Sequence, residues 1–254
     1  MIDFHTHTPA WHTATLLNGT PFGPDDFVGF MDRAGIDRAV VLAHDGLFRS
    51  SPQANEELAE FVAAYPDRLV GFGTYSPRHR EAVDEIRRCF TELGLRGIKL
   101  HPWLQGFSVH EPEVDRLVDA VAEHGGIVLS HDGTPPYSTA GQLAALASRH
   151  PTVPLVLGHA GLHDLWRESL AAIQEYENVY ACLCGTPPYA SRRILEAAPP
   201  GKVVFGTDAG LSDRVSQDYA VARIREIDHW GIEPDLRQAL LFDNPRRLLE
   251  VGSA

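Results

Sequence analysis

The chain of 254 residues carries 22 lysines and arginines against 34 aspartates and glutamates, a formal net charge of −12 with histidine neutral. This charge excludes a broadly basic surface for nucleic acid. A content of 44% hydrophobic and 22% charged residues excludes an intrinsically disordered chain. Three cysteines are too few for a disulfide framework, and we see neither a secretory leader nor a long apolar span, so we expect a cytoplasmic protein.

Eight short apolar runs recur along the chain, each bounded by glycine, proline or polar residues. Near-continuous runs of Val, Ile, Leu and Phe are typical of strands that are buried on both faces. Successive runs start 24 to 37 residues apart, which leaves room for a helix between each pair. The predicted strands begin near Ile2, Ala39, Leu69, Gly97, Ile127, Leu155, Val179 and Val203.

Apolar residues at three- and four-residue steps predict a helix after each strand. The predicted helices cover residues 25–35, 51–65, 77–93, 112–124, 141–150, 162–176, 189–198 and 217–230, followed by two short closing helices within 234–251. Strict alternation of strands and helices implies parallel strands joined by right-handed crossovers. Eight such units of about 30 residues predict an α/β fold, a single (β/α)8 TIM barrel over residues 1–254 with short C-terminal closing helices. The competing open doubly wound sheet has less support, because no G-x-G-x-x-G motif follows the first strand.

Polar residues follow the apolar runs at the carboxyl ends of the predicted strands. The carboxyl ends of barrel strands meet on one rim, where active sites of this fold are built. Histidine, of which the chain has 13, is the most frequent residue at these positions. The strand-end residues are His5, His7, His44, Lys99, His101, His131, His159 and Asp208.

The His5-Thr6-His7 segment is the sharpest local signal for a metal site. Side chains at i and i+2 of a strand share one face, about 6.5 Å apart, so two imidazoles can reach one ion. Alone, the pattern is also compatible with two exposed polar residues, and a lone strand-end histidine with a hydrogen-bonded core residue. Asp208 favours the metal interpretation, since a carboxylate at a buried strand end must be paired, hydrogen bonded or metal bound.

These residues together resemble the amidohydrolase superfamily over nearly the whole chain. The resemblance is strongest to the amidohydrolase-related branch, which includes aminocarboxymuconate-semialdehyde decarboxylase-like enzymes and many metal-dependent hydrolases. The matching motifs are D-x-H-x-H at 3–7, G-x-K-L-H-P at 97–102, His131, His159, G-T-D at 206–208 and N-P-x-R-L-L at 244–249.

The resemblance implies one divalent ion held by His5, His7, His131 and Asp208, with His159 beside it as an acid/base or electrostatic group. Neutral nitrogens and one carboxylate suit Zn²⁺, and the alternatives are Mn, Fe and Ni. Asp208 is also expected to take part in catalysis, by accepting the proton of the attacking water.

Lys99 leaves the number of ions open. In binuclear members of the superfamily a carboxylated lysine on strand four bridges two metals, and the counterpart of His159 becomes a ligand. The alternatives for Lys99 are a clamp for a substrate carboxylate or an ammonium paired with an acid. We expect one ion rather than two, with Lys99 among the catalytic residues.

Aromatic and histidine side chains near the rim are candidates for substrate contact, although packing is the competing interpretation of each. Cys182 and Cys184 share one face of strand seven, where core packing is favoured over a thiol near the site. The candidates for substrate contact are His101, Trp103, His44, Tyr137, Tyr189, Trp11 and His12.

The expected function is that of a metal-dependent hydrolase acting on an amide, lactone or related acyl bond of a small molecule, through metal-activated water. The alternative is a metal-dependent non-oxidative decarboxylase or hydratase of a carboxylated substrate, and the short chain favours hydrolysis. The net charge disfavours a barrel-type nuclease, and Asp208 disfavours a barrel without catalysis. We expect a small-molecule substrate, no nucleic acid and no membrane, and the charge does not decide whether the chain forms a homo-oligomer.

Overall fold

Eight parallel strands form one sheet whose spatial order follows the order along the chain. The computed structural model describes residues 1–8, 23–48, 50–211 and 215–251. The order and the parallel pairing confirm the predicted barrel. The strands are β1 (Ile2–His7), β2 (Arg38–Leu42), β3 (Leu69–Gly73), β4 (Gly97–Leu100), β5 (Ile127–Ser130), β6 (Leu155–Leu157), β7 (Val179–Leu183) and β8 (Val203–Phe205).

Helices connect successive strands on the outside of the sheet. In the described part of the chain, none of them is long and apolar enough to cross a lipid bilayer. The helices are α1 (Pro24–Ala34), α2 (Ser51–Ala63), α3 (Ala82–Thr91), α4 (Pro102–Gln105), α5 (Pro112–Ala122), α6 (Ala140–Arg149), α7 (Trp166–Glu175), α8 (Pro188–Ala197), α9 (Val215–Glu226), α10 (Pro234–Gln238) and α11 (Asn244–Glu250).

Three helix predictions differ from the structure. The helices predicted to begin at residues 77 and 162 begin at Ala82 and Trp166, because turns occupy the intervening residues. The segment after β4, which lies outside every predicted helix, contains the short helix α4. The closing helices are linked by a π-helical turn over Ala239–Asp243.

The barrel closes where the segment after β8 meets β1. The backbone N–H of His7 donates to the carbonyl of Ala209 at 2.7 Å, and the N–H of Asp208 donates to the carbonyl of His5 at 2.9 Å. Thr6 and Ala209 form a parallel bridge. The first and last strands of the ring are therefore joined directly beside the residues predicted to bind metal.

Side chains that point into the ring form a second apolar cluster, separate from the one between strands and helices. Phe4 and Phe72 pack edge to face in this interior, 6.2 Å between ring centroids. Helix α11 adds Leu248 and Leu249 to the cluster, and the Asn244 amide donates to the carbonyl of Val203 at 2.8 Å. The closing helix thus covers the amino-terminal mouth of the barrel and leaves the opposite rim for the site.

Candidate metal centre

A small cavity of about 90 Å³ lies at the carboxyl-terminal rim of the barrel. All eight strand-end residues that the sequence singles out line it, together with Leu211, so the strand ends bring these side chains to one cavity. The described lining residues are His5, His7, His44, Lys99, His101, His131, His159, Asp208 and Leu211.

The tightest grouping of ligand atoms comes from β1 and from the turn after β8. One ligand atom each from His5, His7 and Asp208 lie within 4.8 Å of one another. The Nε2 atoms of His7 and His5 lie 2.8 Å and 3.4 Å from Oδ1 of Asp208. Two nitrogens and one carboxylate oxygen converging in this way are a donor set that suits a divalent transition metal.

His5 is oriented for ligation by a hydrogen bond on the far side of its ring. Its Nδ1 lies 3.0 Å from the carbonyl oxygen of Gly158 and must carry the proton, since a carbonyl can only accept. Nε2 therefore presents a lone pair toward the carboxylate oxygen of Asp208, 3.4 Å away. The lone pair of Nε2 and the carboxylate oxygen of Asp208 thus face the same space, which is the arrangement that a metal ion requires of its ligands, so the residues present fit a bound metal ion.

The protonation states of this group also match those of metal ligands. Burial lowers the pKa of His5 and of His7 below the usual value, which keeps both imidazoles neutral. Burial raises the pKa of the Asp208 carboxyl, but its hydrogen bond with the His7 ring and the electrostatic effect of the surrounding histidines outweigh burial, and the pKa lies well below its usual range. Metals bind neutral imidazole and ionised carboxylate, so little proton loss opposes binding.

His131 lies in the same cavity but on its other side. Its ring stacks on that of His101, 3.9 Å between centroids, and lies 4.4 Å from that of His159. It is not part of the tight grouping with Asp208, among the residues that the structure describes. His131 therefore stays a predicted ligand.

Lys99 is almost completely buried at the base of the cavity, with 1% of its surface exposed. Its Nζ lies 3.3 Å from Nε2 of His5. Burial lowers the pKa of Lys99 to about 8, against the opposing effect of the Asp208 carboxylate. The ammonium is thus a cation within the proposed metal centre, ready to pair with an anion.

The predicted substrate contacts fall into two groups. His44 and His101 line the cavity, and the His44 ring lies 4.8 Å from that of His7. Trp103 and Tyr137 do not line it and are 54% and 36% exposed, while Tyr189 packs against Trp166 and is 59% exposed. Trp11 and His12 lie outside the described residues.

A buried aspartate holds the turn that carries Asp208. Oδ1 of Asp3 accepts the backbone N–H groups of His5 and Thr207, each at 3.1 Å, and Oδ2 accepts the Thr207 hydroxyl at 2.6 Å. The next residue, Asp208, has a φ of 64°, a left-handed conformation that is strained for a residue with a side chain. Asp3 thereby fixes the backbone that aims this carboxylate at the histidines of β1.

A second buried aspartate, which the sequence reasoning missed, holds the turn after β6. Oδ1 of Asp132 accepts the backbone N–H of His159, and Oδ2 accepts that of Gly161, each at 2.6 Å. Ala160 and Leu162 in the same turn have positive φ values of 46° and 54°. Asp132 directly follows His131 in the sequence, so its place beside a strand end was the available signal.

A (β/α)8 barrel with histidines and an aspartate at its carboxyl-terminal rim defines the class of TIM-barrel enzymes that work with a divalent metal. The family model for amidohydrolases matches residues 2–251, and the chain belongs to this family.

Comparison with known proteins gives one curated relative and several solved structures. 2-Amino-3-carboxymuconate-6-semialdehyde decarboxylase of Dictyostelium discoideum is 31% identical over 78 residues, which cover 30% of this chain and 22% of that protein. The 5-carboxyvanillate decarboxylase of Sphingomonas paucimobilis is 17% identical with a TM-score of 0.74, over 99% of both chains.

The 5-carboxyvanillate decarboxylase of Novosphingobium aromaticivorans, in complex with manganese and 4-hydroxy-3-methoxy-5-nitrobenzoic acid, is 18% identical. Its TM-score is 0.73, over 98% of this chain and 94% of that one. At these identities the likeness to solved structures establishes the fold. The manganese in this neighbour is consistent with the divalent metals of the superfamily.

Proposed function

We propose that the protein is a metal-dependent non-oxidative decarboxylase of a small carboxylated substrate. The observation that carries the proposal is the buried ammonium of Lys99 at the base of a cavity of about 90 Å³. Relatives with decarboxylase names support the same choice over the hydrolase that the sequence favoured.

The charges in the cavity favour an anionic substrate. A divalent ion on His5, His7 and Asp208 would, with the Lys99 ammonium, bring three positive charges. These exceed the negative charge of Asp208 and that of the buried Asp132, which acts on Lys99 from nearby. Excess positive charge in a buried site is unfavourable, and a carboxylate beside Lys99 would compensate it. The same charges offer no comparable advantage to a neutral amide or lactone.

The cavity also limits the size of the substrate. Drug-sized ligands occupy pockets of about 300–1,000 Å³, and the part of the cavity bounded by described residues is well below that range. We therefore propose a monocyclic or short-chain carboxylic acid as the substrate. Trp103, exposed beside His101 at 6.1 Å between ring centroids, is a candidate contact for the part of the substrate outside the cavity.

Decarboxylation breaks the bond between the carboxylate and its carbon, releases CO2 and leaves an electron pair that must take up a proton. The metal ion, when bound, supplies positive charge that withdraws electron density from the substrate. Lys99, with a pKa of about 8, is protonated at neutral pH and is assigned as the source of that proton. His159, whose pKa burial lowers to about 4, is neutral and can accept a hydrogen bond from a substrate hydroxyl.

We propose one divalent ion, with manganese and zinc as the candidates, held by His5, His7 and Asp208 and completed by His131. A hydrolase is the second candidate function. An ionised Asp208 beside a neutral His159 could accept the proton of an attacking water. The two reactions differ in their products, which makes them separable.

The test is a panel of aromatic and unsaturated carboxylic acids, lactones and amides, incubated with protein reconstituted with Mn²⁺ or Zn²⁺. We expect CO2 release from one or more of the acids. In D2O the product should carry one deuterium at the carbon that lost the carboxyl group. Turnover of lactones or amides without CO2 release would contradict the decarboxylase and support the hydrolase.

The control variant is Asp208→Asn, which keeps the side-chain shape but removes the negative charge. We expect it to keep the circular dichroism spectrum of the native barrel and to lose turnover, by about a hundredfold or more given the usual effect of removing one electrostatic catalytic group. Unchanged activity in this variant would remove Asp208 from the mechanism.

A further inference from the structure

Cys184 lies directly after β7, and its thiol is completely buried beside the candidate metal centre. One ligand atom each from His5, His159 and Cys184 lie within 4.8 Å of one another. This soft-ligand cluster is distinct in composition from the grouping of His5, His7 and Asp208, yet the two share His5.

We propose that the soft-ligand cluster is an alternative position for a thiophilic ion such as Cd²⁺ or Zn²⁺, occupied at the expense of the position beside Asp208. Thiolate and imidazole favour soft and borderline ions, whereas a carboxylate oxygen favours harder ions such as Mn²⁺. The barrel therefore holds two neighbouring donor sets of different softness.

The two imidazoles of the cluster are held in the tautomer that ligation requires. Nδ1 of His5 donates to the carbonyl of Gly158, and Nδ1 of His159 donates to the carbonyl of Cys184, each at 3.0 Å. Both rings therefore carry a lone pair on Nε2, and an ion bound to His5 would replace the Lys99 ammonium that lies 3.3 Å from this atom. One nitrogen of each ring and the Cys184 sulfur lie within 4.8 Å of one another, which is close enough for a single ion between them.

Occupation of the two positions is mutually exclusive. Nδ1 of His5 is committed to a carbonyl, so this ring has a single lone pair and can bind one ion at a time. A thiophilic ion takes the Cys184 sulfur as thiolate and releases its proton to solvent, and no oxidation state changes. The exchange removes His5 from the ligands of the first position and predicts inhibition by thiophilic metals.

Cys182 provides a matched control on the same face of β7. Like Cys184, it is fully buried within the apolar interior of the ring. It belongs to neither ligand grouping of the described residues. Any effect of burial or of a free thiol in general should be the same for both cysteines.

The first test is a titration of the metal-free full chain with Cd²⁺, followed through the ultraviolet charge-transfer band of a cadmium–thiolate bond. We expect the band in the wild type, in Cys182→Ser and in Asp208→Asn, and its loss in Cys184→Ser and Cys184→Ala. The affinity for Cd²⁺ should fall by about 100-fold or more in the Cys184 variants, because the loss of a ligand costs more than the 10- to 100-fold typical of a residue that only supports one. No band in the wild type, or a band that Cys182→Ser abolishes, would overturn the proposal.

The second test uses only the wild type, so it holds even if a Cys184 variant does not fold. Protein loaded with one Mn²⁺ is titrated with Cd²⁺, and released Mn²⁺ is measured by its electron paramagnetic resonance signal. We expect one Mn²⁺ to be released per Cd²⁺ bound, together with the thiolate band. Simultaneous retention of both ions would refute mutual exclusion, and no substrate is involved, so this result is independent of the proposed reaction.

Discussion

Two turns at the rim of the barrel, one after β8 and one after β6, are each held by a buried aspartate, but in different ways. In the β8 turn, Asp3 accepts two N–H groups on one oxygen and a hydroxyl on the other. In the β6 turn, each oxygen of Asp132 accepts one backbone N–H. The Thr207 hydroxyl in the β8 turn can act as a donor or as an acceptor of a hydrogen bond. The backbone N–H groups that Asp132 binds in the β6 turn can only donate.

The left-handed residue also differs between the turns. After β8 the strained residue is Asp208, a proposed ligand, whereas after β6 the strain lies in Ala160 and Leu162, just beyond His159. Strain on the ligand itself means that loosening the β8 turn moves a metal-binding atom. Loosening the β6 turn moves His159 directly and reaches the proposed ligands only through the hydrogen bond from His5 to the carbonyl of Gly158.

The largest effect is expected from Gly210→Ala in the β8 turn. Gly210 has a φ of 98°, and a Cβ there would lie 1.9 Å from the carbonyl oxygen of His7. The collision is with strand backbone, so we expect a loss of about 3 kcal/mol or more in the free energy of unfolding, from overpacking and backbone strain. Urea denaturation measures it.

Gly94→Ala is the control for Gly210→Ala. Gly94 also has a positive φ, 65°, but a Cβ there meets no atom within 4 Å. We expect Gly94→Ala to lower the free energy of unfolding only by the penalty of the left-handed conformation, about 1–2 kcal/mol. If both variants lost the same free energy of unfolding, the contact between β1 and the segment after β8 would be shown to tolerate displacement.

An intermediate effect is expected from Asp132→Asn. One of the two backbone N–H groups would face the amide NH2 and lose its acceptor, which costs about 1–3 kcal/mol for a buried donor. We expect this loss in urea denaturation, with bound metal retained at equal stoichiometry by elemental analysis. Loss of the metal at unchanged stability would contradict the separation between the two turns.

The smallest effect is expected from Asp3→Asn. The amide oxygen can keep both N–H groups, and the amide NH2 can donate to the Thr207 hydroxyl, which turns to accept. Burial raises the pKa of Asp3 to about 7, so removing its charge changes little near neutral pH. We expect a destabilisation below about 1 kcal/mol in the same assay, and a loss larger than that of Asp132→Asn would reverse the comparison.

The strands and the eight residues at their ends could be predicted from sequence because both follow from local patterns. A buried strand shows as an apolar run, and the first polar residue after the run lies at the rim in this fold. His44 was placed in the cavity by this rule alone, whereas Lys99 also belongs to the G-x-K-L-H-P motif.

The contacts that hold the site could not be predicted, because they join residues far apart in the chain. The hydrogen bonds of Asp132 span 27 and 29 residues, and nothing near Ala160 in the sequence announces a left-handed turn. The short helix α4 was not predicted for a different reason. Its amino-terminal cap is His101, whose Nδ1 accepts from the N–H of Leu104 at 3.4 Å, and histidine is not among the usual capping residues.

The contact between β1 and the segment after β8 has a consequence for the synthesis of the protein on the ribosome. His7 and Asp208, which meet at 2.8 Å, are 201 residues apart in the chain. The nascent polypeptide therefore cannot bring these nitrogen and oxygen donors together until all eight strands have been synthesised. Binding of the proposed ion would therefore come late in synthesis, and metal uptake during translation would report when the barrel has closed.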